Sequence, residues 1–201
     1  MRTAVVVFAR RPRPGRVKRR LARGVGARQA ATIYAELLSR ALKTVDAGRW
    51  TRLLFCADSQ DRGWFHSRLR GGKWLVKGQA RGDLGRRMAK ATEFALRRAD
   101  AVILIGSDIA DLEVNDLTRA AGALDHGTEA VLGPTVDGGY WLIGLRRPAP
   151  WLFCDMPWST SEVYARTCER LRKAGTNYAE LEPRRDIDRV GDLRYYRKRA
   201  R

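Results

Sequence analysis

The sequence predicts an α/β protein built on a largely parallel sheet. Short apolar runs alternate with amphipathic segments of helical period along almost the whole chain. The runs are rich in β-branched residues and lack polar alternation, as befits strands buried on both faces. The 201 residues suffice for one full core. No linker, repeat or low-complexity stretch divides them, so one domain over 1–201 is expected.

Residues 4–9 (AVVVFA) form the first expected strand. Pro12, Pro14 and Gly15 then forbid both strand and helix, so the chain turns. Seven cations stand in that turn and just beyond it: Arg10, Arg11, Arg13, Arg16, Lys18, Arg19 and Arg20. Ala30, Tyr34, Leu37, Leu38, Ala41, Leu42 and Val45 recur at helical spacing, with Gly48 ending the run. Strands follow at 53–57 and 73–76, separated by a short helix over 64–69. Asp83 opens a helix that places Leu84, Met88, Ala91, Phe94 and Ala95 on one face. Residues 101–106 (AVILIG) are the most strand-like of the chain and are expected near the middle of the sheet. A helix over 115–124, strands at 130–133 and 140–145, and a helix capped by Ser159 with Glu162 at its third position come next. A strand at 178–181 and a helix starting near 188–192 close the chain.

Composition narrows the function classes. The hydrophobic share is 44%, and no apolar run is long enough to span a bilayer. The apolar stretch after Met1 is too short for a signal peptide, so a cytoplasmic location is expected. Cys56, Cys154 and Cys168 are odd in number without C-x-x-C spacing, and His66 and His126 are isolated; neither a disulfide framework nor a zinc site is indicated. The net charge of +18 allows nucleic-acid binding, and the run 194–199 (RYYRKR) has the look of a basic arm with stacking aromatics. The arginines are nevertheless dispersed along the chain, so a non-catalytic nucleic-acid-binding protein is only the remote alternative. Motifs for a Ser-His-Asp hydrolase, a P-loop and a G-x-G-x-x-G fold are absent.

Parallel sheets bind ligands outside the carboxyl ends of their strands, and four polar constellations fall at such ends. The cationic turn after the first strand suits phosphate, with Gly15 allowing close backbone approach and Lys18 and Arg20 supplying charge. A solvated basic loop is the bland reading. Gly106-Ser107-Asp108, with Asp111 following, ends the strand at 101–106; a carboxylate there suits Mg²⁺ on a polyphosphate or, equally, a helix cap. Residues 133–144 (GPTVDGGYWLIG) hold Asp137-Gly138-Gly139, either a ligand-accommodating turn or a plain hairpin. Asp186-Ile187-Asp188 puts two carboxylates on one face if extended, or caps the last helix.

Together these segments resemble one family, the small bacterial transferases of the glycosyltransferase-A fold called radical-SAM/selenodomain-associated transferase 1, or a domain of unknown function. The family opening F-A-K-x-P-x-P-G-x-V-K-T-R-L is here FARRPRPGRVKRRL at 8–21. Its Q-x-x-G-D-L-G-x-R-M lies at 79–88, G-S-D-x-P at 106–110, G-P-x-x-D-G-G-Y-x-L-I-G at 133–144 and W-S-T-S at 158–161. Molybdenum-cofactor and phospholactate guanylyltransferases have similar openings.

The resemblance implies a Rossmann-like three-layer α/β/α sandwich of the nucleotide-diphospho-sugar transferase (GT-A) type. It implies a metal-dependent transferase using an NTP or NDP-sugar, with Mg²⁺ or Mn²⁺ as cofactor and a small-molecule acceptor. Nucleotidyl transfer to a phosphorylated acceptor is slightly favoured over sugar transfer, because the cationic loop could hold a triphosphate. Lys18, Arg20 and Asp108 would be catalytic; Arg10, Gly15, Asp83, Arg87 and Ser107 would join Lys18 and Arg20 around the nucleotide. Asp108 and Asp188 would hold the metal. Asp137, Gly138, Gly139, Tyr140, Trp158, Ser159 and Thr160 would shape the acceptor side. Three places depart from the family pattern: Arg19 for Thr, Ala110 for Pro, and Arg189-Val190-Gly191 for the T-P-E of D-T-P-E-D.

Overall fold

The computed structural model describes residues 1–69 and 73–198. One sheet of seven strands forms its centre: β1 (Thr3–Ala9), β2 (Thr51–Cys56), β3 (Trp74–Gly78), β4 (Ala101–Ile105), β5 (Ala130–Pro134), β6 (Tyr140–Leu145) and β7 (Tyr178–Glu180). Their spatial order is β3-β2-β1-β4-β6-β5-β7. All pairings are parallel except those of β6, which runs against both β4 and β5. β4, the fourth of seven, is central as its composition predicted.

The helices are α1 (Arg19–Val25), α2 (Ala27–Asp46), α3 (Arg62–Arg68), α4 (Leu84–Leu96), α5 (Val114–Asp125), α6 (Val163–Lys173) and α7 (Leu193–Lys198). Strand alternation separates two cores. Val5, Val7, Ile103 and Ile105 face α2, α3 and α5, whereas Ala4, Val6, Val102 and Leu104 face α4 and α6. The result is the expected three-layer sandwich. Each fully buried Leu, Ile or Val adds roughly 1.5–3 kcal/mol by leaving water. A third, smaller core joins Leu21 of α1, Ile33 and Leu37 of α2, Ile187 and Leu193, tying the C-terminal segment to the start of the chain.

Several elements differ from the sequence reading. The helix expected around 30–45 is preceded by a separate one, α1, broken from α2 at Gly26, whose φ of 83° no helix continues through. Ser159 does not cap α6: its own φ is 70°, and the helix starts only after Glu162. The entry is held instead by Tyr164 N–H, which donates to the Gly138 carbonyl at 2.8 Å. Near 190 a 3-10 turn (Val190–Asp192) precedes α7. Arg199, the last residue of the basic run, lies outside the described residues. Among the described residues, no helix is long and apolar enough to cross a membrane.

Candidate functional site

The sheet order reverses between β1 and β4: β2 and β3 lie beyond one, β6, β5 and β7 beyond the other. At such a switch point the loops leaving neighbouring strands diverge and open a crevice. A cavity of about 1130 Å³ occupies it, large for one small molecule and adequate for a nucleotide with an acceptor.

The loop after β1 forms one wall. Pro12 and Pro14 keep it from pairing; Arg16 N–H closes a turn onto the Arg13 carbonyl at 3.0 Å, and Gly15 takes a φ of 75°. Lys18 then stands at the N-cap of α1 with a φ of 46°, a left-handed backbone that a residue other than glycine adopts only when its surroundings impose it. Its side chain is buried, and Nζ meets Asp108 Oδ2 at 2.8 Å, across from the end of β4. Two residues on, Arg20 Nη1 meets Asp188 Oδ2 at 3.1 Å. Thus the two cations and the two carboxylates singled out in the sequence meet pairwise across one cavity. For Lys18, burial works against the ammonium, but the Asp108 charge and hydrogen bond outweigh it and raise the pKa. For Asp108, burial works against the carboxylate, and Lys18 in turn holds its pKa below the usual value.

Ser107 has another task. Its Oγ lies 2.8 Å from the Tyr34 Oη, which also accepts the Arg10 N–H at 2.9 Å. Tyr34 of α2 therefore joins the ends of β1 and β4 beneath the cationic loop. As one apolar-face residue among many in a helical pattern, it gave no sign of this in the sequence.

The C-terminal segment closes the far side. Arg184, nearly buried, bonds Asp116 of α5 at 2.6 Å and Asp111 at 2.8 Å, which anchors the chain just before Asp186 and Asp188. Asp111 is thereby engaged by Arg184, and Glu113 stands at the cap of α5. Asp192 caps its own turn by accepting from the Asp188 and Arg189 N–H groups at 3.2 and 2.8 Å. Asp188 is thus left free of the capping role, and Asp186 shares its wall, together with Arg185 and Arg189.

Asp137-Gly138-Gly139 forms the hairpin between β5 and β6, and its Asp137 and Gly139 also border the cavity. Asp137 Oδ1 accepts from Thr135 Oγ1 at 2.5 Å and from Gly139 N–H at 3.3 Å, fixing the turn. Tyr140 and Trp158 meet edge to face at 6.4 Å and give this side an aromatic wall, continued by Leu84 and Met88 of α4. Burial raises the Tyr140 pKa, so the phenol stays protonated. Ser159, Thr160, Arg10 and Arg87 also line the cavity. Gly15, Asp83 and Gly138 do not. Asp83 caps α4, accepting the Arg86 N–H at 2.8 Å, and the two glycines shape the backbone behind the wall.

Among the described residues, no three His, Cys, Asp or Glu side chains come close enough to hold a metal ion by themselves. Asp108, Asp186 and Asp188 are hard oxygen donors, and Mg²⁺ is ordinarily held by one or two carboxylates plus phosphates and water, so the donor set fits such an ion. Asp186 shows how much negative charge gathers here: burial, then the neighbouring Asp108 and, less strongly, Asp137 and Asp188, push its pKa up to about 6. A carboxyl raised in the fold favours the native state while protonated, so this contribution falls away as pH rises from about 4 to about 6. Asp186→Asn is accordingly expected to stabilise the ligand-free protein above pH 7 by about 1 kcal/mol, or roughly 2–4 °C in Tm, and to change little at pH 4. Thermal melts of both proteins across pH 4–8 check it; equal Tm values at pH 8 would contradict the electrostatic strain.

Comparison with known proteins adds to this picture. The sequence model of a family described as "uncharacterized protein conserved in bacteria" (DUF2064) matches residues 39–160. A solved structure from Desulfovibrio desulfuricans G20, provisionally described as a nucleotide-diphospho-sugar transferase, is 32% identical. It aligns over 96% of this chain and 85% of its own with a TM-score of 0.90. The inositol-1-phosphate CTP transferase of T. maritima is 14% identical over 100% and 95% of the two chains, with a TM-score of 0.66. Rv0371C of Mycobacterium tuberculosis H37Rv, in complex with manganese, is 18% identical over 98% and 97%, with a TM-score of 0.60. At those identities the last two share the fold. No curated protein matches the sequence.

Proposed function

We propose that this chain, which belongs to the DUF2064 family, is a transferase that uses a nucleotide-activated donor together with a divalent metal ion. One observation carries the reading: Lys18 and Arg20 face Asp108 and Asp188 across the cavity where the sheet order reverses. Cations alone would suit any anion, and carboxylates alone any cation. Their interleaving suits a metal-bound polyphosphate, which needs both.

Asp108 and Asp188, with Asp186 beside them, would hold Mg²⁺ or Mn²⁺, whose charge would offset that of the polyphosphate oxygens. Lys18 and Arg20 would exchange their carboxylate partners for phosphate oxygens and stabilise the departing group by charge-assisted hydrogen bonds. Tyr34, through Ser107 and the Arg10 N–H, keeps the two strand ends in register beneath them. In the favoured nucleotidyl transfer, an acceptor phosphate oxygen bonds to the α-phosphorus, and pyrophosphate leaves with the electron pair of the broken P–O bond. Five cations of the β1 loop and α1 start line the cavity, Arg10, Arg16, Lys18, Arg19 and Arg20, which is ample for a triphosphate. Tyr140 and Trp158 would border the acceptor. A second reading, sugar transfer from an NDP-sugar with a nucleoside diphosphate leaving, is favoured by the description of the relative that is 32% identical.

A thermal-shift screen of NTPs and NDP-sugars with Mg²⁺ or Mn²⁺ tests the proposal. A ligand at 100 times its Kd stabilises by about 2.7 kcal/mol, hence a shift of roughly 5–10 °C. Asp108→Ala is expected to remove the metal-dependent part of that shift. A shift with NDP-sugars alone would select the second reading. No shift with any nucleotide would overturn both.

A further inference from the structure

Seven cations between Arg10 and Arg20 repel one another, and a free loop carrying them would spread. Here the seven are divided. Arg10, Arg16, Lys18, Arg19 and Arg20 line the cavity, whereas Arg11 and Arg13 do not. Both of those turn to one carboxylate, Asp61, at the end of the 3-10 turn (Ser59–Asp61) that follows β2. Its Oδ1 lies 2.8 Å from Arg13 Nη2 and 3.6 Å from Arg11 Nη1. Asp61 is only 6% exposed, although the arginines it holds reach into solvent. Arg11 is fixed further by stacking over the Trp64 ring at 5.4 Å, an indole that also carries Arg68 at 3.9 Å.

A carboxylate withdrawn from water to meet two partly solvated guanidinium groups gains little net stability. Its effect is geometric. The loop is tied at its root by the Arg10 N–H on Tyr34 and at its far end by Lys18 on Asp108; Asp61 ties the stretch between.

We propose that Asp61 is a positioning residue: by drawing Arg11 and Arg13 away from the cavity, it holds the 10–18 loop in the shape that presents Arg10, Arg16 and Lys18 to a polyphosphate. The inference rests on the polyphosphate reading of the cavity given above. It makes a prediction of unusual sign. Asp61→Asn adds one positive unit of charge beside an anion site, and electrostatics alone would tighten anion binding. Loss of positioning weakens it.

Two measurements on the full chain decide the matter, both well below the melting temperature so that any general loss of stability does not enter. In calorimetric titration with inorganic tripolyphosphate and Mg²⁺, Asp61→Asn is expected to bind at least about threefold more weakly than the wild type. Equal or tighter binding would overturn the proposal. In limited trypsinolysis followed by mass spectrometry, cleavage after Arg16 and Lys18 is expected to be several-fold faster in Asp61→Asn, with other cuts unchanged; an unchanged rate there would also overturn it. If Asp61→Asn does not fold, Arg13→Gln, altered at a half-exposed side chain, carries the same proteolysis test. A wild type that does not bind tripolyphosphate counts against the polyphosphate reading of the cavity, and the proteolysis still reports on whether Asp61 holds the loop.

Discussion

Lys18→Ala is expected to weaken binding of the stabilising nucleotide by about ten- to a hundredfold while the protein remains folded. The size follows from the chemistry: a hydrogen bond to a charged group contributes roughly 1.5–3 kcal/mol, and a phosphate oxygen offers a charged acceptor. Retention of the fold follows from the setting. The left-handed backbone at Lys18 strains alanine no more than lysine, so the substitution removes only the side chain. It also leaves Asp108 without its 2.8 Å partner, but that carboxylate faces the cavity and can hydrate there. Calorimetric titration of the nucleotide selected by the thermal screen, with a melt of the free variant, measures both. An affinity within twofold of the wild type would take the phosphate role away from this residue, and with it from the cationic loop.

Gly138→Ala is expected to lower the melting temperature by on the order of 10 °C. Two costs add. At a φ of 89° an L side chain is strained by roughly 1–2 kcal/mol. A methyl group would also run into the Ser161 carbonyl oxygen and fall 2.6 Å from Ser161 Cα; these are backbone atoms that cannot swing aside, and such overpacking costs roughly 1–3 kcal/mol more. The strain would bear on the Tyr164 N–H bond to Gly138, and so on the seating of the Trp158–Ser161 turn at the start of α6. The adjacent glycine makes the control. At Gly139 the nearest foreign atom is the Thr135 hydroxyl at 3.0 Å, a side-chain atom that can move, so Gly139→Ala is expected to cost much less. Melts of the two variants separate them; similar losses would mean that the turn yields as a whole.

The sheet and its helices could be read from the chain because their signals are local. Residues 4–9 and 101–106 are apolar without alternation, and such runs fold as inner strands wherever they fall. The glycines and prolines that end them mark the loops at the strand ends, which is why most of the suspected residues gather in one cavity. The start of α6 escapes the sequence for the converse reason. Helix ends depend on partners distant in sequence, as Gly138 is for Tyr164.

The acids show the boundary between sequence and tertiary structure most sharply. Asp83, Asp108, Asp111, Asp188 and Asp192 all stand just before or within a helix start or a turn, and nothing local tells a cap from a ligand-facing group. Asp83 and Asp192 accept backbone N–H groups a few residues away, and Asp111 pairs with Arg184 across 73 positions of the chain. Asp108 and Asp188 meet Lys18 and Arg20 over the cavity. The sequence by itself determined the α/β architecture, the strand ends where a ligand could sit, and the supply of cations and carboxylates. Only the tertiary structure decided which cation meets which carboxylate. A charge takes its role from whatever lies within a few ångströms of it, and those neighbours are brought together by the parallel pairing of β1 with β4 and the return of the C-terminal segment to the cavity, not by their spacing along the chain.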